Sequence, residues 1–281
     1  MSTPFVENWV QYNQLEKLYG YLPGLAAALP SVLGLDADAY AALLARFDAD
    51  AHAAAVELAA DPEVAAHVDA LPFRPGHTVL AVGDSIVADR RSWAEILRHL
   101  LDLRRPGHGV RVVNAGLSAH TTAMVLRRWP ATLATAPDWI LCQLGANDVT
   151  RVGPDPQKPQ VGLEESVANL RELRRIAEAL LDDVAWVWLT PPPVHEERAA
   201  TAPAFRQGRA GWRNTDIAAL AAGIARLGDP VVDLTSVFGT PAAADLQGPD
   251  GVHPSIAGQV AITRTLVRRL ADPQRGPSSP R

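Results

Sequence analysis

A single cysteine in 281 residues, Cys142, excludes an intramolecular disulfide. It lies in the apolar run Trp139-Ile140-Leu141-Cys142, where a buried small hydrophobe is expected rather than a reactive thiol. An excess of basic charge is also missing. Lys and Arg number 26 against 31 Asp and Glu, a formal net charge of −5 at pH 7, so no positive field exists to bind nucleic acid by counterion release. No apolar stretch is long enough to span a membrane: residues 22–35 are short and interrupted by Pro23 and Pro30. The first residues lack the basic stretch followed by an apolar core of a secretory signal. Together with the lone cysteine, this leads us to expect a cytoplasmic protein. The first 72 residues hold no metal-ligand spacing and no glycine-rich loop, and no internal repeat is visible.

What is present is a globular composition, 48% hydrophobic and 20% charged. Residues 1–72 read as a helical extension. Phe5, Trp9 and Tyr12 share one helical face, continued by Leu15, Leu18 and Tyr19. Asp36 is placed to cap a long alanine-rich helix, and Asp61-Pro62-Glu63 is a cap followed by proline at the first helical position. Residues 71–76 form the junction to a main domain over 73–270, and the Pro/Ser/Arg-rich tail 271–281 is expected to be disordered.

From residue 78 strands and helices alternate. Strands are expected at 78–82, 110–114, 139–144, 184–190 and 231–234. Helices are expected at 85–103, 121–133, 163–182, 215–227 and 254–270. This alternation defines an α/β fold, a parallel sheet of about five strands covered on both faces, because parallel connections require crossovers. Such sheets hold ligands outside the carboxyl ends of their strands, so chemistry belongs in the strand-end loops. Four of those loops carry residues that make sense together. Ser85 stands at a sharp turn from strand to helix, with its N–H among the unpaired donors of the helix start. In Asp250-Gly251-Val252-His253 a carboxylate precedes an imidazole by three residues, so Asp250 can orient His253 and His253 can take the serine proton. Asn147 offers a side-chain N–H and Gly116 a backbone N–H to a tetrahedral oxyanion, alongside the N–H of Ser85. Each residue singly has an ordinary reading as turn, terminator or cap. Their joint placement on strand ends carries the argument.

GDSI at 83–86, NAGLSAHTT at 114–122, GAND at 145–148 and DGVHP at 250–254 together resemble the four blocks of the SGNH (GDSL-type) esterase and lipase superfamily. The resemblance covers about residues 78–270. It implies a three-layer α/β/α flavodoxin-like fold, no metal or other cofactor, and hydrolysis of a carboxylic ester through an acyl-enzyme. Ser85 would be nucleophile, His253 acid/base, Asp250 its orienter, and Ser85 N–H, Gly116 N–H and Asn147 the oxyanion hole. One departure is Ala119-His120, where the family often has Gly followed by a polar residue, so the second loop is expected to be shaped differently. The expected partner is a small-molecule ester, short-chain or O-acetyl, with His120 and Trp212 as candidate substrate contacts. Asp84 and Asp148 are expected to tie down loops. A thioesterase or acyltransferase on the same residues, and a binding module that has kept the fold without catalysis, are the alternatives. The oligomeric state is left open.

Overall fold

The computed structural model describes residues 4–154 and 157–272. The tail expected to be disordered lies outside them from residue 273. The chain opens with helices α1 (Pro4–Tyr12), α2 (Leu15–Tyr19), α3 (Leu25–Val32), α4 (Ala37–Ala60) and α5 (Pro62–Asp69). Asp36 caps α4 by accepting from Ala39 N–H, and Asp61 caps α5 by accepting from Glu63 and Val64, which satisfies donors the helices leave unpaired.

Five parallel strands follow: β1 (Thr78–Gly83), β2 (Arg111–Asn114), β3 (Trp139–Gln143), β6 (Ala185–Leu189) and β8 (Val231–Val232). Their spatial order is β2-β1-β3-β6-β8, and every pairing is parallel. The chain runs outward from β1 to β2, then returns to the other side of β1 to lay down β3. That reversal opens a crevice at the carboxyl ends of β1 and β3. Gly83 pairs with Gln143 at that edge, so the loops carrying Ser85 and Asn147 leave the sheet side by side.

The period of two in strand side chains sorts the core into two layers. Val79, Ala81, Trp139, Leu141, Ala185 and Val187 face one cluster, whereas Leu80, Val82, Ile140, Cys142, Trp186 and Trp188 face the other. Helices α8 (Thr122–Leu133), α9 (Leu163–Leu180) and α12 (Asn214–Ile224) cover the second face; α7 (Trp93–Arg104) and α14 (Ile256–Ala271) cover the first. Ala51, Ala55 and Leu58 of α4 and Val64 and Val68 of α5 belong to that first cluster too. These helices therefore thicken the main core, and removing them would expose the outer faces of α7 and α14. Two of the buried indoles are anchored by hydrogen bonds: Trp93 Nε1 donates to Gln143 Oε1 at 2.6 Å and Trp129 Nε1 to Leu173 O at 2.8 Å.

Two local departures from the sequence reading bear on the site. The helix expected over 85–103 is broken into α6 (Ser85–Ala88) and α7. Asp89 breaks it, because its buried carboxylate accepts from Arg91 N–H and so offers the backbone an alternative to the helical bond. The long connection 191–214 holds α10 (Glu196–Thr201), α11 (Pro203–Gly208) and strand β7 (Ala210–Gly211). This β7 pairs with β4 (Arg151–Val152), which pairs with β5 (Lys158–Pro159). Two-residue strands are too short to show an alternation, so no pattern announced this small sheet.

Candidate active site

Ser85 is the first residue of α6, directly after β1, so its N–H has no partner within the helix. Asp84 before it is fully buried and caps α6 through Ile86 N–H at 3.0 Å. Across the crevice, the loop ahead of α14 folds around one carboxylate. Asp250 Oδ1 accepts from the N–H groups of Val252 and His253 at 2.9 Å each, while Oδ2 lies 2.6 Å from His253 Nδ1. Gly251 makes this turn possible: it sits at φ +75°, and a Cβ there would lie 2.6 Å from His195 O. A carboxylate accepts only, so Nδ1 carries the ring hydrogen and Nε2 is left to accept from the Ser85 hydroxyl, 2.9 Å away. Residues 168 apart in sequence thus form one hydrogen-bonded relay.

Charge and burial tune this relay. Burial alone would push His253 down, but the charge and hydrogen bond of Asp250, helped by Asp89 and Asp84, hold it above the ordinary imidazole value. Asp250 is pushed up by burial, yet the His253 charge and the hydrogen bonds it accepts win and hold it below the usual carboxylate range. Burial raises Asp84 to about 6 against the pull of Ile86 N–H and His253.

The oxyanion side corrects one expectation. Gly116 N–H donates to Asn114 Oδ1 at 3.0 Å and is not among the groups bordering the cleft beside Ser85. Glycine is required there for close packing, because a Cβ would lie 2.5 Å from Ala88 N and 2.7 Å from Val87 C. Instead the second loop brings Ser118 and Ala119 to the cleft. Ala119 holds φ +62°, a left-handed conformation rare for a residue with a Cβ, and its N–H makes no hydrogen bond to the described residues. The loop thus takes up with alanine a shape that glycine would adopt without strain. Asn147, after β3, uses one N–H on His120 O at 3.2 Å; its second N–H is left for the cleft it borders.

His120 is the second correction. It is buried, its Nδ1 lies 3.1 Å from its own loop at Ser118 O, and it does not border the cleft. Its contribution runs through its carbonyl, which anchors Asn147. Asp148 accepts from Thr122 N–H, Thr122 Oγ1 and Ser166 Oγ and so ties the third-strand loop to α8 and α9. Trp212 borders the cleft, fixed by Nε1 donating to Ala146 O at 3.1 Å and stacked edge-on against Phe205. The cleft has a volume of about 260 Å³. Phe205, Ala210 and Trp212 also border a second cavity of about 670 Å³, which Arg206, Arg209, Arg213 and Glu196 line as well. Sequence reasoning missed two residues at the site. Ala119 was signalled only by its departure from glycine, and Tyr12, read as part of an apolar helix face, stacks on His253 at 4.3 Å between ring centroids.

A hydroxyl held by an imidazole that a carboxylate orients, at the switch point of a parallel sheet, defines a serine-hydrolase type of site. The chain belongs to the GDSL-like lipase/acylhydrolase family, whose model matches residues 81–261. It is an ester hydrolase of the SGNH type, with the three-layer fold that family shares. The acetylxylan esterase of Geobacillus stearothermophilus is 28% identical over 220 residues, covering 69% of this chain and 94% of that protein. The esterase TesA of Pseudomonas aeruginosa is 36% identical over 104 residues, 35% of this chain and 48% of that protein. A solved structure of the Geobacillus stearothermophilus acetyl xylan esterase Axe2 matches with a TM-score of 0.55 at 25% identity, covering 71% of this chain and 97% of that one. LAE5, an alpha/beta hydrolase from the metagenome of Lake Arreo, shares the fold at a TM-score of 0.54 and 21% identity, covering 72% of this chain and 97% of that one.

Proposed function

We propose that this protein removes a short acyl group, in the first place acetyl, from a hydroxyl of a sugar-like alcohol, through an acyl-enzyme on Ser85. The observation that carries this reading is the relay of Ser85, His253 and Asp250 at 2.9 and 2.6 Å beside a small cleft. His253 Nε2 takes the proton as Ser85 Oγ bonds to the acyl carbon. The negative charge that develops on the carbonyl oxygen faces the N–H groups of Ser85 and Ala119 and the free N–H of Asn147. Collapse breaks the bond to the alcohol oxygen, which leaves with the proton from His253. Water then gives a proton to the same nitrogen and attacks the acyl carbon, and a second collapse returns Ser85 and releases the carboxylic acid.

Size supports the acyl side of the reading. A cleft of about 260 Å³ is smaller than the roughly 300–1,000 Å³ that enclose a drug-sized ligand, so it suits a few acyl carbons. The adjoining cavity, near 670 Å³ and bordered by Trp212, arginines and Glu196, offers room, an aromatic face and hydrogen-bond donors for a bulky polar alcohol. The acetylxylan esterase relative, matched over 94% of its length, supports the same assignment.

The test is hydrolysis of p-nitrophenyl acetate, butyrate and octanoate by wild type and Ser85→Ala. The expected outcome is highest kcat/KM on acetate and activity lost with Ser85. Activity retained in folded Ser85→Ala removes the nucleophile, and a preference for octanoate removes the short-acyl assignment. Adding a competing alcohol separates hydrolysis from acyl transfer, because a transferase would form the new ester in preference to free acid.

A further inference from the structure

The family match begins at residue 81, yet residues far ahead of it reach the relay. Tyr12, the last residue of α1, lies over the imidazole of His253 with ring planes 31° apart, and is itself buried. It does not border the substrate cleft. A continuous seam holds it there. Gln11 Nε2 donates to buried Asp89 Oδ2 at 3.0 Å, and Arg90 N–H and Nε donate to Gln11 O and Val10 O, each at 3.0 Å. Gln14 Nε2 donates to Ala88 O, and Glu16 pairs with Arg90 at 2.7 Å. Lys17 Nζ donates to Asn114 Oδ1 and Gly116 O, at the start of the loop that carries Ala119. The partners of this seam are the turn after α6 and the end of β2, both directly behind the site.

We infer that Tyr12 is a positioning residue for His253, and that residues 10–17 complete the active site which the family domain leaves open on that side. The inference rests on the triad proposed above. The two hydrogen bonds of the imidazole lie in its plane, so they resist rotation within the plane and leave tilt out of it nearly free. A flat ring at 4.3 Å opposes that tilt and keeps water off the bond between His253 and Asp250. The groups facing the imidazole are Asp250 from its own loop, Asp89 and Asp84 from either end of α6, and Tyr12 from α1. Burial holds His253 down and the carboxylates of Asp250, Asp89 and Asp84 hold it up; both depend on the exclusion of water, so removing the covering ring shifts its pKa. Tyr12 itself stays a neutral phenol, because burial and the charges of Asp89 and Asp250 raise it well above its ordinary value.

The experiment is steady-state hydrolysis of p-nitrophenyl acetate as a function of pH by Tyr12→Ala, Tyr12→Leu and Tyr12→Phe, with Ser85→Ala as control and circular dichroism on each. Tyr12→Ala is expected to lower kcat between about twofold and tenfold, leave KM unchanged and shift the acid limb. Tyr12→Phe restores both. Tyr12→Leu fills the space without a flat ring and is expected to lose kcat as well, which keeps the test decisive where the alanine variant unfolds. Wild-type kcat and an unmoved acid limb in folded Tyr12→Ala or Tyr12→Leu would overturn the inference. Loss in KM rather than kcat would overturn it too, by making Tyr12 a substrate contact. Activity surviving in Ser85→Ala would instead overturn the triad beneath it.

Discussion

Replacing Asn147 by alanine isolates the oxyanion side of the proposed reaction. Its amide nitrogen has two hydrogens: one donates to His120 O at 3.2 Å, which leaves the second for the cleft that Asn147 borders with Ser85 and Ala119. Loss of one preorganised donor costs roughly 2.7–4 kcal/mol in the transition state, or about 10²–10³ in kcat. The ground-state carbonyl oxygen lies short of the position its anion takes, so KM should hardly change. Loss of the bond to His120 O adds about 1 kcal/mol of destabilisation, small enough that the fold persists. Asn147→Asp is the sharper control. It keeps the shape and puts a carboxylate where negative charge must develop, so it should be worse than alanine once ionised. The assay is p-nitrophenyl acetate hydrolysis at saturating substrate, beside a urea titration of each variant. A folded Asn147→Ala with kcat within about threefold of wild type, far below the typical effect, would refute the assignment. A rise in KM at constant kcat would show that the amide binds substrate and transition state alike.

Three further outcomes are expected. His253 must be neutral to accept the Ser85 proton, and its pKa is held above the ordinary value of about 6.5. A plot of kcat/KM against pH should therefore fall on the acid side with a midpoint above that value; a rate constant in pH from about 5 to 8 would exclude the imidazole as base. Asp84 is raised from 3.8 to about 6, so the folded state holds its proton more tightly than the unfolded chain, and stability falls as pH rises between those values. The penalty approaches about 3 kcal/mol above pH 6. Asp84→Asn keeps the acceptor for Ile86 N–H, so it should stabilise the protein at pH 7.5 and lose that advantage toward pH 4, as read by urea unfolding at each pH. Ala119 pays for its left-handed φ of 62° with roughly 1–2 kcal/mol, partly offset by the greater unfolded-state freedom of glycine. Ala119→Gly is thus expected to gain up to about 1 kcal/mol with kcat kept, and a destabilised, slower variant would show that the methyl group itself is needed.

The strands and covering helices of the main sheet were legible because their signals are long and periodic. Trp139, Ile140, Leu141 and Cys142 form an unbroken apolar strand buried on both faces, and Leu163 to Leu180 keeps one apolar stripe through five turns. Asp36 and Asp61 cap the helices their chemistry favours. The break at Asp89 was hidden because the apolar period on either side of it continues in register. What turns the chain there is a buried carboxylate that also accepts from Gln11, 78 residues earlier.

For the site, the chain's own order of residues determined which loops end strands and therefore that Ser85, Asn147, Asp250 and His253 would share one edge of the sheet. It also determined that Asp250 and His253 could be held by one turn, since three residues separate them. The tertiary structure alone decided which backbone N–H groups are free to face the cleft. Gly116 and Ala119 stand three positions apart in one loop, yet one is spent on Asn114 and the other is left open. It alone decided that Tyr12 lies on His253. The physical reason is the same in both cases. Periodicity and local spacing report bonds made within an element or a turn, whereas the orientation of the Asn114 amide that takes the Gly116 N–H, held by Lys17, Val87 and Glu95, and the covering of the His253 ring are settled by groups from other elements once the core has closed.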